Sequence, residues 1–142
     1  MKEMVMYYNT QNPAKARLVK ETVARLGIRI RDILPEQVNE TVGALAGIKE
    51  AETYSETGWN DFQFRPVIQD EVLIFYNFSE ERLDELLREL RKIHASVALK
   101  AVVTPTNCSW RFWQLYAEIK KEHEEMTRQI KAEHPSDPDR TI

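Results

Sequence analysis

The chain has 142 residues, 42% hydrophobic and 30% charged, with 20 basic against 23 acidic side chains for a net charge of −3. That length suits one domain, and the near-balance of charge argues against nucleic-acid binding, which needs a surplus of clustered Lys and Arg. One cysteine excludes an internal disulfide, and four glycines form neither a GxGxxG nor a P-loop arrangement.

Met4 to Tyr8 is a short continuous apolar run, the pattern of a strand buried on both faces. Asn12-Pro13 then signals a helix start, and Ala16, Val19, Val23 and Leu26 give it one apolar stripe before Gly27 ends it. Ile28-Arg29-Ile30-Arg31 alternates apolar and charged, so this strand has one wet face and belongs at a sheet edge. Pro35 opens a second helix through Val38, Val42 and Leu45, stopped by Gly47.

The plan then repeats. Val72 to Tyr76 is apolar on both faces, and Leu73-Ile74-Phe75-Tyr76-Asn77 echoes Val5-Met6-Tyr7-Tyr8-Asn9. Ser79 is an N-cap with Glu80 and Glu81 in the first turn, where the helix dipole favours negative charge. Leu83, Leu86, Leu87, Leu90 and Ile93 form the helix's apolar stripe, and Val97 to Val103 is the fourth strand. Thr104-Pro105-Thr106-Asn107 turns the chain into a last helix capped by Asn107 or Ser109. Between the halves, residues 47–70 form a long connection containing Trp59, Phe62 and Phe64, with Phe62 to Arg65 alternating like a short extra strand.

These elements predict a single α/β domain over 1–134, built from two β-α-β-α units (1–46 and 71–134) and followed by a flexible tail at 135–142. The sheet is expected to be parallel or mixed, of order 2-1-3-4, with helices on both faces. If it is parallel, a crevice opens above the carboxyl ends of the central strands, with Asn9, Asn77 and the 104–108 turn on one rim. Asn9, Asn77, Thr104, Thr106 and Asn107 are therefore the candidate ligand-binding residues. The competing reading for both Asn9 and Asn77 is local turn chemistry, since Asn bonds its own backbone.

Cys108 is the candidate nucleophile, because a thiol in the first turn of a helix is stabilised as thiolate. No His or second Cys lies nearby to act as base or resolving partner. Three scattered histidines offer no metal site, and no cofactor is legible. Phe112, Tyr116, Ile119, His123, Met126 and Ile130 alternate at heptad spacing along the last helix. Its far end, with Met126 and Ile130, together with Trp59 and Phe62 in the connection, makes up the candidate partner-binding surface, for a second copy or another protein. No apolar stretch approaches the ~20 residues of a membrane span. No signal-peptide pattern is present, and the expected location is the cytoplasm.

Phe75-Tyr76-Asn77-Phe78, Arg82 to Leu87, Leu99-Lys100-Ala101-Val102 and Thr104-Pro105-Thr106-Asn107, with Trp110 and the run to His123, resemble a bacterial family, domain of unknown function 3783. The resemblance covers roughly residues 71–126 and implies no activity, substrate or catalytic residue. Its pattern does not require cysteine at the position of Cys108. The expected function is thus a non-catalytic module binding a small molecule or a protein partner. The alternatives are a thiol-dependent enzyme using Cys108 and an assembly subunit dimerising through the last helix.

Overall fold

The computed structural model describes residues 3–48 and 66–133. Strand β1 (Met4–Tyr8) is buried at all its positions, as its unbroken apolar run requires. Helix α1 (Pro13–Arg25) starts where Asn12 accepts a hydrogen bond from the Lys15 N–H and Pro13 takes the first turn. It ends at Leu26, with Gly27 at φ 75°. Strand β2 (Arg29–Asp32) is the mostly exposed, charged edge strand anticipated from its alternation.

Pro35 opens only a three-residue 3-10 turn, and the helix expected to run on to Leu45 is reduced to α2 (Val42–Leu45), capped by Thr41. In the second half, β3 (Val72–Tyr76) is followed by α3 (Glu80–Lys92), capped by Ser79, and then β4 (Leu99–Val102). A 3-10 turn at Asn107–Ser109 precedes α4 (Phe112–Glu133). The last helix therefore starts three residues beyond the Ser109 cap that its sequence suggested.

The sheet is mixed, of order β2-β1-β3-β4. β1 pairs in parallel with β2, and β3 with β4, but the central pair β1 and β3 is antiparallel, with Met6 opposite Ile74. Reversing one central strand has a direct consequence for the helices. Right-handed crossovers that leave an antiparallel pair in opposite directions land on the same face. Val19 and Val23 of α1 and Leu86 and Leu90 of α3 accordingly share one core with Val5, Tyr7, Leu73 and Phe75. Opposite faces of the same strands, through Met6, Tyr8, Val72 and Ile74, bury Val42, Leu45, Phe112, Leu115 and Ile119.

The two halves are related by an approximate two-fold axis normal to the sheet. Met6 and Ile74, equivalent in the repeat, face each other at the centre. On the α2–α4 face, Thr41 and Arg111 form an antiparallel bridge. There the bond from the Val42 N–H to the Trp110 carbonyl (2.8 Å) is reciprocated by that from Phe112 to Glu40 (2.9 Å). The strand ends match too: Ile33 N–H reaches the Tyr7 carbonyl at 2.8 Å, and Val103 N–H the Phe75 carbonyl at 2.9 Å. At the close of α3, His94 adopts φ 57° where α1 uses Gly27.

Candidate functional site

The antiparallel centre separates residues that a parallel sheet would have gathered. Asn9 follows the carboxyl end of β1, next to Val72 where β3 begins, whereas Asn77 follows the carboxyl end of β3, next to Met4. The expected common rim is therefore absent. Reversal of β3 relative to β1 carries Asn77 and the turn after β4 to the opposite end of the sheet from Asn9.

At its own end, Asn9 is occupied locally. Its Oδ1 accepts from the N–H groups of Gln11 (3.1 Å) and Asn12 (3.0 Å), and its Nδ2 donates to the Tyr7 hydroxyl (2.9 Å) and to Glu71 (3.3 Å). Tyr7 donates to the same Glu71 carboxylate, which Lys15 neutralises at 2.7 Å while also donating to the Ser96 carbonyl at 2.7 Å. Burial pushes the Tyr7 phenol up, Asn9 opposes this and Glu71 adds to it, so the hydroxyl stays a donor. This network ties β1, α1 and the approaches to β3 and β4 together. Beside it lies a cleft of about 180 Å³ lined by Tyr7, Asn9, Thr10, Lys20, Asp32 and Leu34. The two charges lining it, Lys20 and Asp32, pair with each other at 3.0 Å. Asn77 adopts φ 66°, the left-handed conformation that Asn tolerates in turns.

Thr104, Thr106 and Asn107 come together at the other end. Asn107 is buried, and its side-chain amide works like a peptide group of a missing neighbour strand. The Oδ1 accepts from Thr104 N–H at 2.9 Å and Nδ2 donates to the Val102 carbonyl at 3.0 Å, while Thr104 Oγ1 accepts from Asn107 N–H at 3.1 Å. The other half has a counterpart, because Gln37 Oε1 accepts from Leu34 N–H at 2.9 Å. Leu34-Pro35-Glu36-Gln37 and Thr104-Pro105-Thr106-Asn107 are the same device: a proline turn ending in an amide that closes the tip of an edge strand. The shared x-Pro-x-amide spacing was a readable signal for it.

Beside that turn, where α4 packs on β4, lies a cleft of about 280 Å³. Thr104, Thr106 and Asn107 line it with Lys100, Ala101, Trp110, Leu115, Glu118, Ile119 and Glu122. Along β4 the inward bond of Val103 to Phe75 sets the phase. Residues alternate, so Ala101 and Val103 face β3 with their backbone groups, while Lys100 and Val102 turn theirs to the outer edge. Asn107 takes the Val102 carbonyl, which leaves Lys100 N–H, Lys100 C=O and Val102 N–H without a partner among the described residues. Glu118 and Glu122, one helical turn apart, make no ion pair among the described residues, and Lys100 instead directs its ammonium to the Val97 carbonyl at 3.1 Å. Sequence reading missed these two carboxylates, although their i, i+4 spacing places them on one helix face.

Cys108 is half-buried in the 3-10 turn, and its thiol donates to the Pro105 carbonyl at 3.3 Å. The long helix begins only at Phe112, so the dipole expected to activate the thiol is not at this position. Met126 on α4 is 62% exposed; the Ile130 side chain, Trp59, Phe62 and the alternating Phe62 to Arg65 lie outside the described residues. Among the described residues, no three His, Cys, Asp or Glu side chains converge as metal ligands, and no helix is long and apolar enough to cross a membrane.

Comparison with known proteins gave no match among curated proteins and none among solved structures. A family match does exist, and it covers the half that holds β4, the Asn107 turn and the packed part of α4. Residues 71–126 match the family described as a domain of unknown function (DUF3783).

Proposed function

We propose that the chain is a non-catalytic binding module that holds a protein partner in the cleft between β4 and α4. The observation that carries this reading is the unclosed stretch of the β4 edge at Lys100 and Val102, lying beside a cleft with an apolar floor. Exposed strand edges pair readily with another chain, and proteins usually blunt them with charge. β2 is blunted in that way by Arg29, Arg31 and Asp32. β4 carries one charge and, among the described residues, is closed only at its tip, by Asn107. An extended segment laid along β4 would gain main-chain hydrogen bonds from the edge and side-chain selectivity from the cleft.

Peptides selected by display against the full chain should bind in extended form and shift the amide resonances of Lys100, Ala101 and Val102. N-methylation of alternate peptide residues removes the donors and should abolish binding. Selected peptides that leave those three resonances unmoved would overturn the assignment.

A second reading, assembly through α4, is favoured by one observation: residues 120–129 are exposed throughout, including the apolar Met126. On that reading the mass in solution exceeds the monomer's at tens of micromolar and falls to it for Met126→Glu combined with Ile130→Glu.

A further inference from the structure

We propose that the segment held along β4 carries a lysine or arginine whose charged end meets Glu118 and Glu122. The inference rests on the binding function above and names the partner's chemistry. The register follows from the edge. A strand added to β4 can use the outward groups of Lys100 and Val102 but must stop at Asn107, which already occupies the Val102 carbonyl. The side chain that this strand sets beside Ala101 enters the cleft, because Ala101 projects only a methyl group into it.

The walls then select that side chain. Trp110, Leu115 and Ile119 offer apolar surface for a long aliphatic stem. Glu118 and Glu122, which make no ion pair among the described residues, offer two carboxylates for its end. A stem in apolar contact with a cation at the rim is the ordinary disposition of lysine and arginine. Lys100, the cleft's own cation, is turned to the Val97 carbonyl and leaves the carboxylates available. An acidic side chain in the same place would meet like charge.

The test uses the full chain and three nine-residue peptides of alternating Thr and Val, blocked at both ends, whose central residue is lysine, norleucine or glutamate. The lysine peptide should bind at least about tenfold more tightly than the norleucine peptide, and the glutamate peptide more weakly than either. That advantage over norleucine should vanish in the double variant Glu118→Gln, Glu122→Gln and shrink steeply at about 0.5 M salt. Equal binding of all three, lost on N-methylation of the peptides, would overturn the cation while leaving strand addition to β4 intact. Absence of binding by every peptide at millimolar concentration would overturn both.

Discussion

Asn107 shows how a single side chain can settle an edge. Its amide satisfies Thr104 N–H and the Val102 carbonyl while itself buried, so truncation strands both partners and exposes a further stretch of β4. Asn107→Ala should lower stability by about 1–3 kcal/mol, the usual cost of orphaning such groups. Denaturant midpoints at unchanged slope would measure it. Asn107→Asp keeps the acceptor for Thr104 but sets an oxygen against the Val102 carbonyl, and should be no better than Ala. A neutral alanine variant would refute the edge-closing role. His94 is the complementary case, a non-glycine residue at φ 57° in the position where the first half uses Gly27. A left-handed backbone costs an L-residue roughly 1–2 kcal/mol. Glycine regains part of this and loses some to chain entropy, so His94→Gly should stabilise by up to about 1 kcal/mol while His94→Ala gains nothing. Thermal midpoints decide, and a destabilised glycine variant would show that the His94 side chain contributes more than its backbone costs.

At the scale of elements, α4 is held to the start of β3 by a polar clamp. Tyr116 donates to Asp70 at 2.6 Å, and Lys120 reaches the same carboxylate at 3.2 Å. The Tyr116 hydrogen bond, and after it Lys120, holds the Asp70 carboxyl below the usual carboxylate range. A group whose folded value is depressed stabilises the fold above its unfolded value, near 3.8, and loses that contribution as pH falls through the folded one. The wild type should therefore lose more stability than Asp70→Asn as pH falls below about 4, and the difference should be constant from pH 5 to 8. Equal acid sensitivity of the two proteins would show that the clamp contributes nothing. The edge strands differ in the same physical terms. β2 is protected along its length by charge, whereas among the described residues β4 has only its tip closed.

Across the whole molecule, the repeat was legible because both halves present an apolar run, Tyr-Asn and a capped helix in the same order. The strand order followed from the two all-apolar strands belonging at the centre, and it is the order found. Direction was not legible. Buried parallel and buried antiparallel strands read alike when both faces are covered, and nothing in Val5 to Tyr8 or Leu73 to Tyr76 distinguishes the two. That one ambiguity decided where Asn9 and Asn77 went. Thr104, Thr106 and Asn107 do fall beside a cleft, but as the turn that closes a strand, and the carboxylates of Glu118 and Glu122 lie on a helix whose apolar stripe is its dominant sequence pattern. The helix expected from Pro35 is a 3-10 turn because proline suits the start of either equally well, and the last helix starts late because a second 3-10 turn, Asn107–Ser109, precedes it.

The proposed partner site depends on an edge that is open at Lys100 and Val102 and closed beyond them by Asn107. Amide hydrogen exchange of the free protein, followed residue by residue, measures this directly. The N–H groups of Ala101 and Val103, turned to β3, and of Thr104, held by Asn107, should exchange slowly. Those of Lys100 and Val102 should exchange at least about a hundredfold faster, as solvent-facing edge amides do. Lys100 and Val102 protected as strongly as Val103 would mean that the edge is already occupied, contradicting a site for a partner strand there.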